Sequence, residues 1–183
     1  MINRILFFSV IVSLLSCSGE KAADLPKAYF DLVAFADSTF LNLDTVNVRL
    51  EKTVEFNGQT ETIFAQAASL KEDLEIVKQM DINKPSWKTS FTASTQQTEA
   101  GEQTTTYIAI DEKLPVRQMR ITRYSGTDRV SQIYAFRKSK NLLYGIEQEI
   151  HWHCDSILEI NTVQNITLLK PKRYHSIIRF IAK

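Results

Sequence analysis

Glycine is scarce in this chain, with 5 among 183 residues, and the five are scattered. That leaves no glycine-rich loop to cradle a phosphate. There are two cysteines, Cys17 and Cys154, and four prolines, so neither a disulfide framework nor a proline-rich linker organises the chain. Charge of one sign is also missing, since 22 Lys and Arg stand against 21 Asp and Glu. A nucleic-acid binder carries a basic excess or stripe, so that class is disfavoured and no nucleic-acid partner is expected. No apolar run is long enough to cross a bilayer as a helix, which takes about 20 residues.

What is there begins at the N-terminus. Met1-Ile2-Asn3-Arg4 is a short basic region, and Ile5 to Leu15 is an apolar core of signal-peptide length. The core runs into Leu14-Leu15-Ser16-Cys17. This tetrad resembles the bacterial lipobox, whose obligatory cysteine is acylated because its thiol is the nucleophile for lipid transfer. The resemblance implies a signal peptide over residues 1–16 that is cleaved, and Cys17 as a lipidated, palmitate-bearing membrane anchor. Several acyl chains hold a protein far more firmly than one. Cleavage would remove one cation, Arg4, and no anion, leaving 21 charges of each sign. With Cys17 acylated, Cys154 has no intrachain partner and reads as a small buried apolar residue.

Residues 17–24 form a lipidated cysteine and polar tether, and 25–183 a single domain with enough chain for a real core. Asp24 before Leu25-Pro26 fits a helix N-cap with proline in the first turn. Tyr29, Leu32, Val33, Ala36, Phe40 and Leu43 recur at three- and four-residue spacing, which predicts an amphipathic helix over about residues 25–44. The period then changes to two. Val46, Val48, Leu50, Val54 and Phe56 alternate with polar residues as on a strand. Asn57-Gly58 is a strong hairpin signal because both residues tolerate positive φ, and Thr60 to Phe64 supplies the return strand. Ser69 with Glu72 reads as a capping box opening a second helix that carries Leu70, Leu74, Val77 and Met80. That helix should stop before Asn83-Lys84-Pro85.

Beyond Trp87 the pattern is β throughout. Thr89 to Thr95 and Gln103 to Ile110 flank Thr98-Glu99-Ala100-Gly101, while Val116 to Tyr124 and Arg129 to Arg137 flank Ser125-Gly126-Thr127-Asp128. Three more strands are expected near 141–153, 156–168 and 172–182. Short polar turns favour antiparallel neighbours in sequence order. The expected fold class is α+β: two helices and a hairpin packed on a curved antiparallel meander of about seven strands. Ile177 and Ile181 oppose Ile178 and Phe180 in strand alternation, so some strands are apolar on both faces. A bent, half-barrel-like sheet accounts for that.

Candidate chemistry is sparse. On the strand from Asn141 to His153, Leu142, Tyr144, Ile146, Ile150 and Trp152 form an apolar row, and Glu147, Glu149, His151 and His153 a polar one. Two histidines at i and i+2 share a strand face about 7 Å apart and could hold zinc given a third ligand, such as a nearby Glu or His175. The simpler account is a solvated strand face, so no metal or other cofactor is expected and His151 and His153 stand only as candidates. His153 and Cys154 point to opposite faces and form no thiol–imidazole pair. No serine sits in a nucleophile elbow. No catalytic residue is therefore assigned, and an enzyme is disfavoured. The basic series Lys113, Arg117, Arg120, Arg123, Arg129, Arg137, Lys138 and Lys140 suits ordinary strand surface, with anionic lipid head groups as the functional alternative. Aromatic residues are shared between the first helix and the sheet. Phe40, Tyr144 and Trp152 are the candidate lining of an apolar ligand cavity between the two.

Asp81-Ile82-Asn83-Lys84-Pro85-Ser86-Trp87 and Lys140-Asn141-Leu142-Leu143-Tyr144, together with the lipobox, resemble small outer-membrane lipoproteins of the Bacteroidetes type. The resemblance implies a cell-envelope address and a membrane partner through the lipid anchor, with neither membrane face singled out. It transfers no functional residues. Helix on curved sheet is also similar in architecture to lipoprotein-carrier folds. The expected function is non-enzymatic binding of an apolar ligand or lipid. The alternative is an envelope assembly or scaffold protein with no small-molecule site, whose partner would be another envelope protein.

Overall fold

The computed structural model describes residues 27–46 and 48–181. The expected signal peptide over 1–16, the expected lipidation at Cys17 and the expected tether over 17–24 lie outside the described residues. The first helix, α1 (Leu32–Thr45), is followed by a hairpin of β1 (Arg49–Phe56) and β2 (Gln59–Gln66), then by α2 (Leu70–Lys78). Seven further strands follow among the described residues: β3 (Phe91–Gln97), β4 (Gln103–Ala109), β5 (Val116–Arg123), β6 (Val130–Lys140), β7 (Tyr144–His153), β8 (Ile157–Ile166) and β9 (Lys172–Ile181). The class is α+β, with all nine strands in one open antiparallel sheet of order β2-β1-β9-β8-β7-β6-β5-β4-β3.

The seven-strand meander is as the alternation predicts, but the hairpin corrects the expected count. It does not pack on the meander; β1 pairs with β9 along its whole length, from Arg49 opposite Ile181 to Phe56 opposite Tyr174. Edge-on pairing satisfies the backbone groups of both strands, which stacking on a sheet face would leave open. The salt bridge from Arg179 to Glu51, 2.8 Å long, joins residues 128 apart in sequence across this seam.

Helix α1 starts later than its periodicity suggests. Residues 27–31 are not helical, and Asp31 is the N-cap, its carboxylate accepting from the Ala34 amide at 3.1 Å. Tertiary bonds explain the shift. Asn83 accepts from the Tyr29 amide at 3.0 Å and donates to the Phe30 carbonyl at 2.8 Å, taking backbone groups that another helical turn would need. The Tyr29 hydroxyl donates to the carbonyl of Lys88 and accepts from the Phe91 amide, so residues 83–91 act as a clasp on Tyr29 and Phe30.

The capping box at Ser69 does not form. Ser69 closes a 3-10 turn, Ala67–Ser69, with helical dihedrals, and its hydroxyl turns back to the Gln66 carbonyl at 2.9 Å. Helix α2 nevertheless buries Leu70, Leu74 and Val77 as their spacing predicts, and Met80 beyond its end is buried too.

Both helices contribute to one core with a single face of the sheet. Leu32, Ala36, Leu70, Leu74 and Val77 meet Leu50, Met119, Ile121, Ile133, Ile150, Trp152, Leu158 and Ile178. Trp152 is fully buried, with the Phe35 ring edge-on at 5.3 Å. Among the described residues the core runs from Tyr29 to Phe180.

Candidate ligand-binding cavity

Neither helix is long, and together they leave part of their sheet face uncovered. Beside α2, over the ends of β1, β9, β8 and β7, lies an open cavity of about 400 Å³. Val54, Ile76, Ile146, Ile160 and Tyr174 supply apolar walls. The volume is in the range of small-molecule sites.

The cavity is set apart by polar residues at positions that strand alternation reserves for the core. Tyr174, Thr162, Gln148 and Arg137 lie opposite one another in register across β9, β8, β7 and β6. Gln148 and Thr162 are both buried, and the Gln148 Nε2 donates to the Thr162 hydroxyl at 2.9 Å. The Gln148 Oε1 has no partner, nor does the Ser176 Oγ one strand row away. Whichever way the Gln148 amide is turned, one of its polar ends is unpaired. A buried polar atom without a partner costs about 1–3 kcal/mol, which packing alone gives no reason to accept. At the far end of the same row, Arg137 donates to Gln79, just past the end of α2, at 3.0 Å while its Nε stays unpartnered.

Lys52 and Asp73 close one side. The ammonium donates to both carboxylate oxygens, at 2.9 and 2.8 Å, and Asp73 is buried. Burial pushes the Asp73 carboxyl above its ordinary value, and the Lys52 ammonium opposes that rise without cancelling it. The pair puts a localised charge couple next to an apolar wall, where it can orient the polar end of a ligand.

A second cavity, about 500 Å³, lies between α1 and the turns after β5 and β7, lined by Phe30, Phe35, Leu43, Arg129, Cys154 and Asp155 among others. Its polar groups Thr39, Arg129 and Asp155 each have a partner. Asp155 accepts from Tyr124 at 2.7 Å and from Arg129 at 2.7 Å, and these bonds, the tyrosine's above all, hold its carboxyl below the ordinary value. Cys154 is pushed up to about 12 by burial, so its thiol stays protonated and inert.

Phe40, Tyr144 and Trp152 do not meet in one cavity. Trp152 is a core residue, Phe40 packs against the core from α1, and Tyr144 is exposed near the start of β7. The histidines lie on the helix-free face. Tyr134 lies between Arg120, whose guanidinium is 4.4 Å from the ring centre, and His151, whose ring meets it edge-on at 5.0 Å. His151 Nε2 is 3.9 Å from Glu149, His153 is exposed, and His175 is engaged by Glu159 at 2.8 Å. Among the described residues no three His, Cys, Asp or Glu side chains are grouped as metal ligands. The basic series is likewise dispersed, with Arg129 paired to Asp155, Arg120 on Tyr134 and Arg137 turned toward α2.

Lys52, Gln148, Thr162 and Ser176 were not singled out from the sequence. The signal was present as gaps: Lys52 interrupts the row from Leu50 to Val54, and Gln148 the row from Ile146 to Ile150. Each gap alone looks like ordinary tolerance of a polar residue. Only register shows that they line one cavity.

Fold and site together define an α+β domain with a ligand-sized cavity on a partly covered sheet face. In comparisons with protein-family models, curated proteins and solved structures, nothing matches this chain.

Proposed function

We propose that this chain is a lipid-anchored cell-envelope domain, held at the outer membrane through Cys17, that binds an apolar ligand carrying a hydrogen-bonding group. The observation that carries the reading is the cavity beside α2, whose apolar walls enclose Gln148 and Ser176, each with a solvent-excluded polar atom that lacks a partner. A ligand with a hydroxyl or amide head and an apolar body would complete those bonds and cover the walls. Binding of this kind needs no catalytic group. A half-barrel-like bend of the sheet belongs to the same proposal, since it would cup the ligand against α2.

The test is native mass spectrometry with lipid extraction on the chain from Ser18 to Lys183, which contains every described residue. Co-purifying apolar ligand that is lost on Gln148→Leu supports the proposal. A ligand-free protein that also fails to take up lipid from mixed micelles would overturn it.

One observation favours the scaffold alternative. Strand β2 is an open sheet edge with Ile63 and Phe64 exposed, and such an edge can accept a partner's strand. Crosslinking through β2 to an envelope protein, with the cavity empty, would select it.

A further inference from the structure

The turn between β6 and β7 and the turn between β8 and β9 lie side by side at one end of the sheet. Thr167 clamps them together, its amide donating to the Leu143 carbonyl at 3.0 Å and its hydroxyl to the Leu142 carbonyl at 2.9 Å. Asn141 stiffens the first turn by accepting from the amides of Leu143 and Tyr144. On this braced tip stand four leucines in water: Leu142 is 89% exposed, Leu143 67%, Leu168 98% and Leu169 61%. Scattered exposed leucines are ordinary, but four on two bonded turns make a patch.

Leu168 bears a second cost. Its φ is +69°, the left-handed region that suits glycine or asparagine and penalises a bulky side chain. Neither packing nor turn chemistry calls for leucine there. A strained backbone position that carries a fully exposed apolar side chain is one where the side chain serves contact with something outside the molecule.

Charge identifies the contact. Lys140, Lys170, Lys172 and Arg173 flank the leucines, and among the described residues none of the four is in an ion pair. The nearby Glu147 is already engaged by Lys138 at 2.7 Å. Exposed apolar side chains flanked by cations outside any ion pair match an anionic bilayer surface, with leucines entering the acyl boundary and the cations at the head groups. We infer that this tip docks on an anionic lipid membrane, making a contact separate from any acyl anchor. Ile146 borders both the tip and the cavity, so docking would set the cavity mouth close to the bilayer. The inference itself rests on the turns and holds whether or not the cavity is filled.

The test is co-sedimentation of the chain from Ser18 to Lys183, which lacks the acylated cysteine, with phosphatidylethanolamine vesicles containing phosphatidylglycerol. Phosphatidylcholine vesicles serve as the neutral control. Salt-sensitive binding to the anionic vesicles is expected. The double variant Leu142→Asn with Leu168→Asn should bind at least about tenfold more weakly, from the apolar transfer lost. Asparagine tolerates the left-handed φ, so this variant should unfold at the same or higher denaturant concentration, which separates lost docking from lost folding. Lys140→Glu with Lys170→Glu should also weaken binding. Failure of the parent chain to bind anionic vesicles, or equal binding by the leucine variant, overturns the inference. So does a lipid-free dimer abolished by the same leucine changes, since the patch would then belong to a second copy.

Discussion

Gln148 and Thr162 stand opposite one another on adjacent strands, joined by a 2.9 Å hydrogen bond between their side chains, on the sheet face that also carries Ile146, Ile150 and Ile160. The bond satisfies half of the Gln148 amide and leaves the other half without a partner. That imbalance is the reason to look for a ligand here. It also yields a stability prediction that runs against the usual effect of core substitution.

Replacing Gln148 by Leu together with Thr162 by Val removes the unpaired amide and both halves of the bond at similar volume. The double variant should be more stable by about 1 kcal/mol, because the desolvation cost of an unpaired buried polar atom disappears. Urea denaturation gives the change in midpoint. The same protein should lose its co-purifying ligand, the pattern expected where stability has been traded for binding. A destabilised double variant would mean that the polar pair serves the fold.

Lys52→Met leaves the buried Asp73 carboxylate without its counter-charge. Breaking a buried pair in this way costs about 3–5 kcal/mol; because the Lys52 side chain is 22% exposed, a loss of about 2 kcal/mol is expected. Burial already raises the Asp73 carboxyl above 3.8, and a raised folded value favours the protonated form. Its contribution is therefore full below 3.8 and declines as pH rises through the folded value. The variant should consequently be more damaged at pH 7 than near pH 4. Adding Asp73→Leu should recover most of the loss, as measured by denaturation at both pH values.

Acid should weaken the fold through two other carboxylates. Burial tends to raise Glu159, but hydrogen bonds from Asn161 and His175 outweigh it and hold the group below 4.5. Asp155 is held below 3.8, chiefly by the Tyr124 hydroxyl. Both folded values are depressed, so the stabilisation is present above the unfolded values and lost as pH falls through the folded ones. Unfolding midpoints measured downward from pH 5 should fall less steeply in Glu159→Gln and Asp155→Asn than in the parent chain. Both groups are partly exposed, so salt should also shrink the effect.

Cys154 should be nearly unreactive while the protein is folded. With its thiol pushed up to about 12, the thiolate fraction at pH 8 is very small. Reaction with Ellman's reagent, on a chain with Cys17 replaced by Ser, should be at least about 100-fold slower than for a free thiol and recover in denaturant. A fast native reaction would show that the second cavity admits solvent to the sulfur.

Much of the fold is legible because its signals are local. Asn57-Gly58 adopts positive φ at both residues, 49° and 88°, as the hairpin between β1 and β2 requires. Gly101 and Gly126 take the same region in their turns, and an added Cβ at Gly101 would collide with the Ser125 side chain. Such turns and the alternation between them need only neighbouring residues, so the seven-strand meander and α2 could be read directly. The start of α1 could not, because Asn83, more than fifty residues away, takes the backbone groups of Tyr29 and Phe30. The capping box fails for a local reason instead: Ser69 satisfies its hydroxyl on Gln66 within the preceding turn.

By itself the sequence determined the balance of charge, the strand and turn order after Trp87, and the apolar stripe of α2. These depend on composition and on periods of two or 3.6 residues, which short-range sterics impose. The tertiary structure alone decided that β1 closes on β9, that Lys52, Gln148, Thr162 and Ser176 line one cavity, and that Leu142 and Leu168 share a tip. Each of these is a matter of register between distant strands. Register is set by the energy of the assembled sheet, which no single strand contains.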